Sequence, residues 1–277
     1  YHLNILKEDE LVTTALSDLG LTSKRVAWDD PDFDWTSTKY AVIRATWDYY
    51  HRIDEFEEWL DVVSLKTTLI NPYETLKWNL DKHYLRDCAD GGVNIPNTHF
   101  LELGSTESLT SAFQDSGWSK AVLKPCISGA ARHTYVIDSH NVREYDSVFQ
   151  ELISKEAMML QEFQESVPLS GEITLVLIGG KYTHAVLKKA KPGDFRVQDD
   201  FGGTVHNHTA TEEEIAFAEL AMSQVSPIPV YGRVDIVRDN AGQLALQELE
   251  LIEPELWFRN HPEAASMLAK KIQREQA

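Results

Sequence analysis

Residues 230–237 and 244–251 are two apolar runs flanking Asp239-Asn240-Ala241-Gly242, and they read as a β-hairpin. Acidic residues inside this hairpin constrain what the chain can build. Asp235 lies on the first run and Glu248 and Glu250 on the second. Strand side chains alternate with period two, so Glu248 and Glu250 share a sheet face and the turn brings Asp235 across from them. Three converging carboxylates repel one another unless a cation neutralises them. Hard oxygen ligands of this kind suit Mg²⁺, with substrate phosphates completing its octahedron. The competing reading is a solvated acidic strand face. Leu246, Leu249, Leu251 and Ile252 are apolar and argue against a simply wet edge.

Overall charge makes the basic residues informative. With 26 Lys and Arg against 44 Asp and Glu, the net charge is −18. Such a field repels nucleic acid and anionic membranes, so an anionic ligand must be held by local groups of Lys and Arg. Lys124 ends an apolar strand over residues 121–125, before the small-residue loop Cys126-Ile127-Ser128-Gly129-Ala130-Ala131. A buried ammonium needs an anionic partner, and small residues let backbone N–H groups approach phosphate. Alternatively, the lysine reaches solvent from the strand end. Lys82 is a further candidate. Lys188, Lys189, Lys191 and Arg196, around Pro192-Gly193 and near Gly202-Gly203, form either an anion site or a basic surface loop.

Along the chain, three regions separate by pattern. In residues 1–76, a helix over 9–19, a buried strand over 40–44 and a helix over 53–63 predict a small parallel α/β unit, ended by Asn71-Pro72-Tyr73-Glu74. Residues 77–164 read as an α+β module: a helix carrying Lys82, strands over 121–125, 133–137 and 158–163, and a helix over 145–153. Residues 165–277 are rich in hairpins. Strands over 172–178 and 181–188 flank Gly179-Gly180 and precede the acidic hairpin. Between the hairpins, Thr211 and Glu214 form a capping box for a helix running towards Val225, and a closing helix starts at Pro262.

Other function classes find little support. No apolar run approaches the roughly 18 residues of a membrane span. The start Tyr1-His2-Leu3-Asn4 lacks signal-peptide character, and two cysteines, Cys88 and Cys126, without metal-type spacing predict a reducing, cytoplasmic setting. Asn207-His208-Thr209 matches a glycosylation sequon of little weight without a secretory signal. Phosphate-loop, dinucleotide, zincin and nucleophile-elbow motifs are all missing. His206 and His208 would share a strand face, but two histidines alone are a poor zinc site.

These residues, in this order, resemble the ATP-grasp superfamily, in its glutathione-synthetase-like branch. The likeness rests on Asp81-Lys82, Val122-Leu123-Lys124-Pro125, Leu160-Gln161-Glu162-Phe163, Gly171-Glu172-Ile173-Thr174, an Arg near a Gly-Gly, Val234-Asp235-Ile236 and Glu248-Leu249-Glu250. It spans nearly the whole chain. A narrower resemblance is to the group around the O-ureido-serine cyclo-ligases of cycloserine biosynthesis. It is carried by Arg44-Ala45-Thr46-Trp47-Asp48-Tyr49, Gly193-Asp194-Phe195-Arg196-Val197-Gln198 and residues 248–256.

The resemblance implies an ATP-grasp fold with an N-terminal Rossmann-like pre-ATP-grasp domain over 1–76, a lid subdomain over 77–164 and a C-terminal subdomain over 165–277. It implies that Lys82 and Lys124 contact ATP phosphates and that Gln161, Glu162 and Phe163 line the adenine pocket. Glu172 would lie near the ribose, and Arg196 would hold acyl-phosphate oxygens. Asp235, Glu248 and Glu250 would hold two Mg²⁺ ions. Glu250 stands where the superfamily usually has Asn, which leaves its part in ligation open. The implied first strand would be short, since only residues 2–6 precede the first helix. Arg44, Trp47 and Asp48 are candidates for an amino-acid-like substrate, with plain packing the other reading of Trp47 and Tyr49. A homodimer is also expected. The implied reaction is ATP-dependent C–N ligation, between molecules or within one, through an acyl phosphate. The alternatives are a non-catalytic ATP-binding regulatory module and an ATP-grasp kinase, which would leave a stable phosphorylated product.

Overall fold

The computed structural model describes residues 2–194, 196–197 and 202–275; Phe195 and Gln198 of the expected Gly193–Gln198 motif lie outside them. The chain opens with helix α1 (His2–Asp18). Residues 2–6 are therefore helical, not the short strand expected. The reason is a continuous inward stripe at helical spacing, in which Ile5, Glu8, Val12, Ala15 and Leu16 are all buried. Strands β1 (Tyr40–Val42) and β2 (Thr68–Ile70) form a parallel pair, joined through helix α2 (Ile53–Ser64). Phe56, Leu60 and Val63 recur at four- and three-residue spacing and seat α2 on this pair.

The helix expected to carry Lys82 is two helices, α3 (Tyr73–Asn79) and α4 (Tyr84–Asp90), with Lys82 in the turn between them. Asp81 interrupts the helix: its carboxylate accepts from the amide of His83 at 2.9 Å.

Six elements then make the second unit: β3 (Thr98–Leu101), α5 (Leu109–Ser116), β4 (Lys120–Pro125), β5 (Tyr135–Asp138), α6 (Val142–Ile153) and β6 (Met158–Glu162). The strands form an antiparallel sheet in the order β3-β6-β4-β5. Helices α5 and α6 cover one face through Leu109, Phe113, Phe149 and Ile153, against Ala121, Leu123 and Leu160. Period-two alternation sends Val122, Lys124 and Gln161 to the opposite face. Strand β5 starts two residues later than expected because the loop before it has Ala130, Ala131 and His133 at left-handed φ values of 48°, 55° and 48°.

After the short helix α7 (Ser166–Ser170), a five-stranded antiparallel sheet is built from β7 (Glu172–Ile178), β8 (Lys181–Lys189), β9 (Thr204–His208), β10 (Tyr231–Arg238) and β11 (Leu244–Glu250), in the order β11-β10-β7-β8-β9. Gly179 and Gly180 make the tight β7–β8 turn with φ of 59° and 76°, which non-glycine residues resist. Helix α8 (Glu212–Ser223) begins with the expected Thr211–Glu214 capping box, and α9 (Glu263–Arg274) closes the chain.

How this sheet is covered fixes the position of the site. One face is sealed by α8 and α4, with Ala221, Met222 and Leu85 against Val234, Ile236 and Leu249. Helix α4 thus packs on the C-terminal sheet rather than within the lid module. The other face is covered at one end only, by α9 and α1 through Leu268, Ala264 and Leu16 against Tyr231, Val176 and Val186. The rest of that face stays open. Asn71 and Asn79 tie the first unit to it: their side-chain amides donate to the carbonyls of Leu251 and Leu249 at 2.9 and 2.8 Å. No helix among the described residues is long and apolar enough to cross a membrane.

Candidate active site

The uncovered part of the five-stranded sheet carries almost only charged side chains. In register, Asp235 pairs with Glu248 and with Thr174, Arg233 with Glu250, and Glu172 with Lys188. All of these point to one face. Asp235, Glu248 and Glu250 each offer an oxygen, and those oxygens lie within 4.8 Å of one another. This is the convergence expected from their spacing.

Cations already neutralise the acids. Arg233 chelates Asp235, its Nε donating to Oδ1 at 2.9 Å and its Nη2 to Oδ2 at 2.8 Å, and it also reaches Glu250. Lys188 bridges Asp235 at 2.8 Å and Glu172 at 2.5 Å. Thr174 donates its hydroxyl to Asp235 Oδ1 at 2.8 Å. Lys82 pairs with Glu248 at 3.0 Å and donates to the Ser128 carbonyl at 2.7 Å, so it joins the acidic hairpin to the small-residue loop.

Protonation follows these pairings. Burial disfavours charge on Asp235, but Arg233 and Lys188 outweigh it and hold the carboxyl well below its usual range. Burial is likewise overcome at Glu248 by Lys82 and Lys124. At Glu250 burial wins, helped by the negative neighbours Glu248 and Asp235, and its carboxyl is pushed up to about 7. A divalent cation would reverse that order, because it favours every carboxylate in its charged form.

Opposite this face stands the open face of the four-stranded sheet. The two bound a cleft of about 310 Å³ lined by Lys82, Lys124, Gln161, Glu162, Phe163, Glu172, Arg196, Asp235, Glu248 and Glu250. Lys124 donates to Gln161 Oε1 at 3.2 Å, and Gln161 is itself fixed by Gln247 and Thr98 at 3.0 Å each. Glu162 turns its carboxylate to the amides of Asn97 and Asn240, at 2.9 and 3.1 Å. The N–H groups of Glu162 and Phe163 donate to the carbonyls of Asn97 and Lys120, while Gln164 also lines the cleft. In the small-residue loop, a Cβ on Gly129 would lie 2.6 Å from the Tyr50 ring, so that ring lies directly on the loop.

The expected basic cluster divides. Lys188 is buried in the sheet floor and Arg196 lines the cleft, where its Nη2 donates to Asp194 at 2.8 Å; Lys189 and Lys191 are exposed. The substrate candidates divide too. Trp47 lines the cleft, its indole N–H donating to the Glu253 carbonyl at 3.2 Å. Arg44 is turned to Asp9 and to the Pro254 carbonyl, at 3.3 and 3.1 Å, and Asp48 accepts from Trp28 and Arg52, at 3.0 and 3.1 Å. Neither Arg44 nor Asp48 is a cleft-lining residue.

Several cleft residues escaped the sequence reading. Arg233 was detectable, since it lies two residues before Asp235 and must share its face. Glu253, part of the 248–256 stretch but given no role there, and Trp257 follow the last strand and gave no periodic cue. His206 and His208 are occupied separately, by Thr204 and Glu214, each at 2.9 Å. Cys126 comes near Asp81 and His83, a grouping invisible in sequence spacing. There the His83 Nδ1 is engaged by Asp81 at 2.6 Å and the thiol is buried.

Burial brings Lys124 down to about 8, with Lys82 also opposing its charge. A neutral amine attracts phosphate poorly, so nucleotide capture should weaken as pH rises through that value. The expected profile of kcat/KM for ATP is level below pH 8 and falls about tenfold per unit above it. Lys124→Arg, whose guanidinium stays charged, should remove the fall even if it lowers the plateau.

Two family models match the chain: the N-terminal domain of D-cycloserine synthetase DcsG over residues 2–71, and the RimK-like ATP-grasp domain over residues 92–251. The cycloserine biosynthesis protein DcsG of Streptomyces lavendulae is 31% identical over 261 aligned residues, covering 86% of this chain and 83% of that protein. A probable alpha-L-glutamate ligase of Hydrogenovibrio crunogenus is 27% identical over 157 residues, 56% of this chain and 50% of its own. The crystal structure of D-cycloserine synthetase DcsG superposes with a TM-score of 0.90 at 26% identity, covering 99% of this chain and 96% of that one. The ATP-grasp ligase PsnB, complexed with a phosphomimetic variant of its minimal precursor, Mg and ADP, shares the fold, with a TM-score of 0.67 at 13% identity over 98% of this chain and 95% of its own.

Proposed function

Because this chain belongs to the RimK-like family of ATP-grasp ligases, we propose that its cleft activates the carboxylate of an amino-acid-like substrate and closes that molecule on itself. The enzyme is an ATP-dependent, ring-closing ligase of the cycloserine-synthetase type that forms a C–N bond. The observation that carries the site assignment is the single sheet face on which Asp235, Glu248 and Glu250 meet Lys82, Lys188 and Arg233.

The acid triad fits Mg²⁺: its oxygens are close enough to share ions, and the chain spends three cations to hold it together. Asp235, Glu248 and Glu250 would hold the Mg²⁺, as a pair of ions on the resemblance. When bound, Mg²⁺ offsets the charge that builds up on the transferred phosphoryl group. The chain's own residues position the reactants. Lys82 and Lys124 grip the phosphates from opposite sides of the cleft. Gln161, Glu162 and Phe163 form the adenine wall; the N–H groups of Glu162 and Phe163 are committed, and their carbonyls, which already accept from Gln164 at 2.8 Å and Asn240 at 3.0 Å, keep a second lone pair for the adenine amino group. Glu172 contributes near the ribose while anchoring Lys188.

The substrate carboxylate attacks the γ-phosphorus, giving an acyl phosphate and ADP. A nitrogen bound to oxygen in the same molecule then attacks the acyl carbon. The C–N bond forms, the C–O bond to phosphate breaks, and the nitrogen's proton leaves to solvent. Arg196 and Arg233 supply guanidinium donors for the departing oxygens. Trp47 belongs to the substrate end, and Arg44 and Asp48 act through the backbone and side chains they hold.

The division into a Rossmann-like unit over 1–76, a lid over 77–164 and a C-terminal subdomain over 165–277 is supported by one sheet in each. By packing, α4 goes with the last. A homodimer follows the resemblance, the two cysteines favour a reducing, cytoplasmic setting, and the charge of −18 disfavours nucleic acid and membrane surfaces as partners. The test is O-ureido-serine with ATP and Mg²⁺. The expected result is stoichiometric ADP, inorganic phosphate and a cyclised product identified by mass, all abolished by EDTA. ATP turnover indifferent to any carboxylate substrate would indicate a regulatory binder. A stable phosphorylated product would indicate a kinase.

A further inference from the structure

Past the acidic hairpin the chain leaves β11 and lines the substrate end of the cleft with Ile252, Glu253, Glu255 and Trp257, opposite Trp47 and Tyr49. The two glutamates differ. Glu255 is paired with Arg259. Glu253 has no ion-pair partner among the described residues, although its backbone is firmly held: the Trp47 indole donates to its carbonyl at 3.2 Å and Arg44 donates to the next carbonyl at 3.1 Å. The surroundings make its charge costly. Burial comes first, then repulsion from Glu250 and Glu248, and together they push its carboxyl well above the usual carboxylate range. Burial and the same acids act on the neighbouring Tyr49, with Glu253 the largest charge it meets. An unpartnered carboxylate held in such a place is costly unless a cation arrives to meet it. Every described lysine or arginine lining the cleft stands among the groups assigned to phosphate and metal; Arg233 offsets part of the repulsion from a distance, but none of the described cations forms an ion pair with Glu253.

We propose that Glu253, walled by Trp47 and Tyr49, is the subsite for the substrate's ammonium group and the residue that restricts the enzyme to α-amino acids. This rests on the ligase reading above and names the part of the substrate that the reaction itself does not require. The carboxylate to be phosphorylated goes to the metal side, and the α-ammonium one carbon away turns to Glu253. Aromatic faces stabilise a cation in the same space. Ammonium binding also restores the charged form of Glu253, so a neutral group in that position gains nothing from it.

The test compares O-ureido-serine with its des-amino analogue, 3-(ureidooxy)propionate, in wild type and Glu253→Gln. Substrate-dependent ADP release gives the kinetic constants, and calorimetric titration in the presence of Mg²⁺·ADP gives binding without turnover. Wild type should favour the amino acid by about 10- to 100-fold in kcat/KM, the worth of a charge-assisted hydrogen bond. Glu253→Gln should raise KM for the amino acid by a similar factor, leave KM for ATP unchanged, and level the two substrates. Equal use of both by wild type, or undiminished preference in Glu253→Gln, overturns the proposal. If neither compound elicits ADP release, the ring-closing reading fails. Calorimetry then still decides on Glu253: selective binding of the amino acid that disappears in the variant supports it, and no selectivity overturns it.

Discussion

Glu248→Ala is expected to lower turnover at least a hundredfold while leaving a folded protein. Glu248 lies directly across from Asp235 on the hairpin and is the acid that Lys82 reaches from the loop side. On the proposed reading, removing it would delete one metal ligand and one of the two partners that hold Lys82. Losing one preorganised electrostatic contact typically costs about 10²–10³ in rate. The fold should tolerate the change because the Glu248 side chain is 32% exposed and Lys82 keeps the Ser128 carbonyl. Turnover should be measured across a Mg²⁺ titration, where Glu248→Ala also needs more metal for half-saturation. Near-wild-type ATP consumption by a folded variant would remove Glu248 from the metal site.

Arg233→Ala should act on stability as much as on catalysis. Its guanidinium is the shared partner of Asp235 and Glu250, and Asp235 is almost fully buried. Taking one partner from a buried ion cluster strands the other, a loss of about 3–5 kcal/mol. Lys188 and Thr174 remain on Asp235, so the lower end of that range is expected. The loss should be largest in EDTA and smaller with saturating Mg²⁺ and ADP, because a bound divalent cation takes over the neutralising charge and binding stabilises the native state. Chemical unfolding with and without Mg²⁺ measures both. A variant as stable as wild type in EDTA would show that Arg233 is dispensable to the apo cluster. A large loss that Mg²⁺ leaves unchanged would separate Arg233 from the metal site.

The parts of the fold legible in advance were those with a short-range cause. The two hairpins were marked by Gly179-Gly180 and by Asp239 to Gly242, and the start of α8 by Thr211 and Glu214. Errors came where a local cue was weak or competed with another. The first residues carry the same inward stripe as the rest of α1, which outweighs their resemblance to a short strand. Strand β3 and helix α5 went unread because β3 has one fully buried residue and α5 is a short helix marked mainly by its Ser108 cap. Lys82, singled out as a phosphate contact, lines the cleft but was placed on a helix that Asp81 breaks.

The sequence alone determined that Glu248 and Glu250 share a face and that Asp235 can meet them, because side-chain alternation is a property of a single strand. It equally determined that Lys124 ends an apolar strand before a loop of small residues. Only the tertiary structure decided which half of a sheet face stays uncovered. That depends on where α1 and α9 stop, and so on contacts between opposite ends of the chain. It also decided that Lys188 and Arg233 hold the acids, that Lys189 and Lys191 do not, and that Arg44 and Asp48 turn away while Glu253 has no ion pair among the described residues. Charge pairing is a matter of distances of about 3 Å, and chain proximity does not set those distances; packing does.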